Sequence, residues 1–206
     1  MDAKRVAAEK AVEEIKGGMT IGLGTGSTAF WAIKKIGEKV QQGLEVRAVA
    51  TSVHSEKLAK EDNIPIISFA DVQQIHIAID GADEVDNAKN LIKGGGGALL
   101  REKIIAYNSL QFLVVVDHSK LVEHLGKFLL PVEIVPFGSE LTLKKLSALK
   151  CDPILRKKGD ELFVSDNGNL IADCNFFPIT DPAKLNMDLH LIPGVVETGL
   201  FLASYV

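Results

Sequence analysis

The 206-residue chain has only two cysteines, Cys151 and Cys174, too far apart to form a CxxC pair, which argues against a disulfide framework or a zinc ribbon. Its five histidines, His54, His76, His118, His124 and His190, show neither HxxH nor HExxH spacing and read as surface or core residues rather than metal ligands. Long apolar runs are missing as well. Phe112 to Val116 is among the longest, far short of the roughly 20 residues that span a bilayer. The N-terminal stretch from Asp2 to Lys16 alternates charges with Ala, Val and Ile at helical spacing, which is a surface helix and not a signal peptide. Neither sign of charge dominates: 23 basic and 27 acidic residues give a formal net charge of −4, with no basic footprint for nucleic acid or an anionic membrane. A cytoplasmic protein is expected, and any phosphate it handles must be held locally.

What is present is the balance of an ordinary folded chain, 47% hydrophobic and 24% charged. Short β-branched runs at Thr20–Leu23, Val46–Ala50, Ile64–Ser68, Ile75–Ile79 and Phe112–Val116 predict strands. Helical spacing lies between most of them, as in Thr28–Val40 with Ile33, Ile36 and Val40, and in Ala98–Ala106 with Leu99, Leu100, Ile104 and Ile105. Such alternation predicts an α/β fold with a Rossmann-like, mostly parallel sheet whose ligand lies beyond the strand carboxyl ends. After about Gly126 the pattern changes to a strand at Val132–Val135, a helix at Ser139–Leu149, two strands around Asp166–Asn169 and a helix capped by Asp181 with Pro182 in its first turn. The expected division is therefore a Rossmann-like domain over residues 1–126, with 193–206 returning to it, and a smaller α+β domain over 127–192.

Three loops could carry chemistry. The first, Gly22-Leu23-Gly24-Thr25-Gly26-Ser27-Thr28, joins a predicted strand to a predicted helix, where free amides attract an anion. Ser27 stands where a dinucleotide fingerprint needs its third glycine and where a P-loop needs lysine, so both nucleotide readings weaken. A phosphate site and a simple capped turn remain. The second, Asp80-Gly81-Ala82-Asp83-Glu84, puts three carboxylates at a strand end, which suits a polyhydroxy sugar, a magnesium ion or a solvated acidic turn. The third, Lys93-Gly94-Gly95-Gly96-Gly97, runs into a helix bearing Glu102 one turn inside its amino end. Four consecutive glycines cost much backbone entropy on folding, and close approach to a ligand explains them better than a linker does. For Glu102 itself, a solvated helix-surface carboxylate beside Arg101 and Lys103 is the plain alternative. Lys120, in Asp117-His118-Ser119-Lys120, also lies beyond a strand's carboxyl end.

Together and in this order, these segments resemble the signature segments of ribose-5-phosphate isomerase type A. The resemblance runs from the N-terminal helix to Gly199. It implies a Rossmann-like domain with a small α+β lid domain, no metal or other cofactor, and a homodimer or homotetramer. It also implies interconversion of ribose 5-phosphate and ribulose 5-phosphate in the non-oxidative branch of the pentose phosphate pathway. Carried over by position, it makes Glu102 the proton acceptor and Thr25, Gly26, Ser27 and Thr28 a substrate-binding loop. It places Asp80, Gly81, Ala82 and Asp83, with Lys93, Gly94, Gly95 and Gly96, around the sugar, and makes Lys120 a further contact. Lys4 corresponds in position to a phosphate-facing lysine, but no motif surrounds it.

Moving a carbonyl from carbon 1 to carbon 2 through an enediolate assigns Lys93 to the developing negative charge, and Asp80 and Asp83 to hydroxyl orientation and ring opening. Two other classes share related architecture. A phosphosugar-sensing regulator would normally carry a DNA-binding segment, and no helix-turn-helix precedes the first strand. A CoA transferase also uses a glutamate but needs adenine contacts, and none are evident in the sequence.

Overall fold

Thr20-Ile21-Gly22-Leu23 is buried at every position, as a strand covered on both faces must be, and it forms β1 (Thr20–Leu23) at the heart of a parallel sheet. The structure is a computed structural model and describes residues 3–204, so Asp2 and the last residues of the expected C-terminal return lie outside the described residues. In chain order the first elements are α1 (Ala3–Val12), β1, α2 (Ser27–Gln41), β2 (Arg47–Ala50), α3 (Val53–Glu61) and β3 (Ile77–Asp80). Next come β4 (Glu84–Val85), β5 (Leu91–Ile92), α4 (Leu99–Tyr107), β6 (Phe112–Val114), β7 (Leu130–Ile134) and α5 (Ser139–Ser147). The chain ends with β8 (Ile154–Leu155), β9 (Lys157–Lys158), β10 (Glu161–Leu162), β11 (Leu170–Cys174), α6 (Pro182–His190), β12 (Val195–Thr198) and β13 (Leu200–Phe201). Its contacts divide it into two units. Among the described residues, one holds 3–82 together with Arg101–Ser119, and the other holds Asp83–Leu100 and 120–204.

The first unit is the parallel α/β body the sequence predicts, with strand order β2-β1-β3-β6 and every pairing parallel. Ile21, Leu23, Ile77 and Ile79 pack with Ile33 and Ile36 of α2 and with Ala8 and Val12 of α1. The N-terminal helix thus buries one edge rather than lying wholly on the surface. Glycine at position 22 is dictated by packing, since a Cβ there would lie 2.5 Å from Ile105 Cγ2 and 2.8 Å from Ala78 Cβ. The chain leaves β1 for β2 on one side and returns to β3 on the other, which makes the carboxyl ends of β1 and β3 the crevice where open α/β sheets bind ligands.

Ile64–Ser68 differs from expectation. It forms one isolated parallel bridge, Ala48 to Ile66, with Pro65 O accepting from Ala48 N at 2.8 Å and Ile67 N donating to Ala48 O at 3.0 Å. Pro65 has no amide to give, so the segment touches the sheet edge without becoming a strand.

The second unit is antiparallel. Its main sheet has order β12-β7-β11-β8, and a second, three-stranded sheet has order β13-β5-β4. β7 is buried throughout, and Leu130, Val132 and Ile134 join Ile171's neighbours Leu170 and Ala172, with Leu146 and Leu189, in one core. α6 begins as the sequence predicts: Asp181 Oδ1 accepts from Lys184 N at 2.9 Å, with Pro182 in the first turn. Residues 195–198, expected to return to the Rossmann-like body, instead extend this sheet, because β12 pairs with β7 through a bulge between Val195 and Glu197.

Candidate active site

In the first unit the loop after β1 meets the end of β3. A Cβ on Gly24 would lie 2.2 Å from Asp80 Oδ1 and 2.7 Å from Asp80 Cα, so only glycine lets the two strand ends approach this closely. Asp80, 2% exposed, accepts at Oδ1 from the amides of Thr25 at 3.1 Å and Gly81 at 2.8 Å. Gly81 lies against Thr28, whose Cβ and Oγ1 would each be 3.6 Å from a Cβ on the glycine. Gly26, at φ 102°, is the N-cap of α2, and no side chain caps the helix. Ser27 and Thr28 therefore bring their hydroxyls to an uncapped helix amino end, which carries partial positive charge.

The loop is anchored by hydroxyl residues at the end of β2 and in the first turn of α3. Thr25 Oγ1 lies 2.6 Å from Thr51 Oγ1, donates to Ser52 Oγ at 2.8 Å and lies 3.1 Å from Ser55 Oγ, while Ser55 Oγ donates to Gly24 O at 2.7 Å. Hydroxyls at and just after the end of β2 thus hold the glycine loop in place. Lys4 also belongs to this neighbourhood. Its Nζ lies 3.4 Å from Ser27 Oγ and 4.0 Å from Asp117 Oδ2, which sets a cation beside the α2 amino end. In the sequence only its position within the family resemblance pointed to Lys4, with no motif around it.

Glu102 sits in the first turn of α4 and is 4% exposed. The solvated-surface alternative is thereby excluded. A buried carboxylate at a helix amino end is electrostatically favoured there by the helix dipole, against the desolvation that burial imposes.

In the second unit, Asp83 Oδ2 accepts from Gly95 N at 2.8 Å, which ties the acidic segment to the glycine loop. Lys93, 2% exposed, donates its backbone amide to Gly199 O at 2.9 Å, and its Nζ lies 5.5 Å from the Phe201 ring centroid. Lysine is almost never buried to this extent unless its charge is paired. Gly97, at φ 82°, closes a turn onto Gly94 O at 2.9 Å, and a Cβ on it would lie 2.3 Å from Phe163 Cζ. Lys120 ends a short 3-10 turn, His118–Lys120, and is half-buried.

The three carboxylates of Asp80–Glu84 are thus separated by their hydrogen-bond partners. Asp80 serves the first loop, Asp83 the glycine loop, and buried Glu84 accepts from Gly126 N at 2.7 Å and Phe128 N at 2.6 Å. The repulsion expected of a bare acidic turn is offset by these backbone donors. Among the described residues no group of three or more His, Cys, Asp or Glu is arranged to hold a metal ion.

The first unit, a parallel α/β body with a glycine loop at a helix amino end and a buried helix-borne glutamate, belongs to the class of α/β proteins that take their ligands at strand carboxyl ends. Comparison with known proteins narrows the class. The family model for ribose 5-phosphate isomerase A (phosphoriboisomerase A) matches residues 47–206. A ribose-5-phosphate isomerase A from Bacillus cereus is 54% identical over 203 residues, covering 98% of this chain and 92% of that protein. Its counterpart from Bacillus mycoides is 50% identical over 204 residues, with the same coverage of 98% and 92%. Among solved structures, the ribose 5-phosphate isomerase A of Methanocaldococcus jannaschii superposes with TM-score 0.93 at 40% identity, covering 98% of this chain and 91% of that one. A D-ribose-5-phosphate isomerase in complex with phospho-erythronic acid gives TM-score 0.94 at 42% identity, covering 98% and 90%. The chain belongs to the ribose-5-phosphate isomerase A family, and its reaction is the interconversion of ribose 5-phosphate and ribulose 5-phosphate.

Proposed function

We propose that Glu102 carries the proton in this isomerisation and that the other loop residues bind and polarise the substrate around it. With the sugar ring open, Glu102 takes the proton from carbon 2 while the carbon 1 carbonyl becomes the oxygen of an enediolate. The hydroxyl proton then moves from oxygen 2 to oxygen 1, and Glu102 returns its proton to carbon 1. Atoms and charge balance without an external reagent. Lys93 stabilises the enediolate oxygen, a role that repays burying its ammonium. Asp80 and Asp83, already fixed by backbone amides, orient hydroxyls and assist ring opening, with Gly81, Ala82 and Gly94–Gly96 allowing the sugar close to the backbone. Thr25–Thr28, Lys4 and Lys120 hold the phosphate.

The observation that carries this reading is the burial of Glu102 in the first turn of α4. Its test is Glu102→Gln, which keeps volume and reach but accepts no proton. Isomerisation should fall by at least about 100-fold, the lower range for a positioned base, while affinity for phospho-erythronic acid stays near native. That acid suits the purpose because its carboxylate places charge where an enediolate would. Near-native turnover by the variant would move the base to Asp80 or Asp83. The proposal gives no part to a metal, so activity should also survive prolonged EDTA treatment, and a loss restored by magnesium would overturn that point.

The cytoplasm and the non-oxidative pentose phosphate branch are the setting we assign to the reaction, with a homodimer or homotetramer as the working form. No helix among the described residues is long and apolar enough to cross a membrane. Sedimentation equilibrium would decide the assembly.

A further inference from the structure

A loop of four glycines has no side chains with which to hold itself, so its shape must be imposed from outside. Arg156, between β8 and β9, does this. Its backbone is fixed first: Arg156 N donates to Ile171 O at 2.8 Å, and Arg156 O accepts from Phe163 N at 2.9 Å. Its guanidinium is then locked by Asp173 of β11, Nε donating to Oδ2 at 2.9 Å and Nη2 to Oδ1 at 2.5 Å, the two-bond fork that arginine and carboxylate form best. Both side chains are mostly buried. The remaining edge faces the glycine loop, where Nη1 donates to Gly94 O at 2.7 Å and to Gly95 O at 3.1 Å. The Arg156 Cζ also lies 5.9 Å from the ring centroid of Phe163, the ring that fits against Gly97.

One peptide plane is held at both ends by this arrangement. In a trans peptide the carbonyl and the amide point opposite ways. Gly94 O goes to Arg156 while the amide of the same peptide, Gly95 N, goes to Asp83 Oδ2 at 2.8 Å. Lys93 begins the loop so fixed. We propose that Arg156, locked by Asp173, is a positioning residue for the isomerisation, holding the Lys93–Gly97 loop in its working shape through the Gly94 and Gly95 carbonyls. The inference rests on the role given to Lys93 above. A charge that stabilises an enediolate is effective when it is oriented in advance, so loss of the clamp should slow turnover more than it weakens binding.

The test uses full-length Arg156→Lys, Arg156→Ala and Asp173→Asn, each assayed well below its melting temperature. Arg156→Lys keeps the charge and loses the fork, which guards against a variant that fails to fold. The expected result is a fall in kcat of about 10- to 100-fold with KM within about threefold, and partial rescue of Arg156→Ala by millimolar guanidinium ion. Hydrogen exchange at the Gly94–Gly97 amides should quicken at least about tenfold while exchange in β1 and β3 is unchanged. Adding Asp173→Asn to Arg156→Ala should cost little more, since both belong to one clamp. Native kcat with unchanged loop exchange would overturn the proposal, as would a rise in KM alone. Lys93→Met separates this idea from the one beneath it. If Lys93→Met turns over normally, the Lys93 role fails while the exchange data still judge the clamp; if it is inactive and the Arg156 variants are near native, the clamp fails.

Discussion

Gly24 lies so close to Asp80 that a single added methyl group would sit 2.2 Å from a carboxylate oxygen already receiving two backbone amides. The loop that follows β1 and the residue that ends β3 are therefore one rigid unit. Asp80 itself cannot move aside cheaply, because its Cα would be only 2.7 Å from the new atom. Gly24→Ala should lower stability by about 1 to 3 kcal/mol, the range for overpacking a tight site, and lower kcat/KM by more than tenfold. Thermal unfolding and steady-state kinetics on the same preparation would check both, and a variant with native kcat/KM would show that this approach is not needed for catalysis.

Asp83 and Glu84 are neighbours with opposite expected phenotypes. Asp83 fixes a glycine-loop amide and is assigned to the substrate, whereas Glu84 is buried and receives Gly126 N and Phe128 N. Removing Glu84 leaves one buried and one partly buried amide without their acceptor, so Glu84→Ala should destabilise the protein by about 2 to 4 kcal/mol, judging from hydrogen bonds to charged groups. The fraction that remains folded should turn over normally. Asp83→Asn should do the reverse, retaining the fold and losing activity. Denaturant titration paired with kcat would show the contrast, and it fails if Glu84→Ala unfolds no more easily than Asp83→Asn.

The parallel body was legible because its strands are continuous apolar runs between helices of clear period, as at Ile21, Ile33, Ile36 and Ile77 to Ile79. Its first glycine loop stood out because close approach of two strand ends demands glycine, as at Gly24 against Asp80. The second unit was harder to read. β4, β5 and β13 are two residues long, and their pairing depends on partners distant in sequence, Leu200 with Ile92 and Phe201 with Leu91. Arg156 lay hidden for the same reason: the carbonyls it grips are more than sixty residues earlier in the chain. Lys4 had no motif around it, since its place beside Ser27 follows from how α1 packs against α2.

Cys151 and Cys174, remote in sequence, are brought together in the core of the second unit as free thiols. Each thiol donates to a backbone carbonyl, Cys151 Sγ to Leu146 O at 3.3 Å and Cys174 Sγ to Ala172 O at 3.7 Å, and the neighbouring Cys151 thiol together with burial pushes the Cys174 thiol far up. Burial, rather than thiol acidity, should set reactivity. A chromogenic disulfide reagent should label neither cysteine in the native protein at neutral pH and both after denaturation. Fast native labelling of either would mean that this core opens far more often than its packing implies.

The last prediction concerns the phosphate. Thr28 stands at the uncapped amino end of α2, Lys4 Nζ lies 3.4 Å from Ser27 Oγ, and Lys120 follows the strand that ends the parallel sheet. If these groups hold the phosphate, each contributes a charge-assisted hydrogen bond of about 1.5 to 3 kcal/mol to substrate and transition state alike. Interactions made equally in both states set KM and leave kcat alone. Thr28→Ala, Lys4→Met and Lys120→Ala should therefore each raise KM for ribose 5-phosphate by roughly 10- to 100-fold with little change in kcat. Unphosphorylated ribose provides the control: it should be a very poor substrate for the native enzyme, and the three substitutions should barely change that poor rate, because the contact they remove is already missing. Raising salt should weaken native binding more than binding by Lys4→Met, as part of the native affinity is then unscreened charge attraction. A substitution that lowers kcat with KM unchanged would place that residue at the reacting carbons, and the phosphate would have to be sought elsewhere.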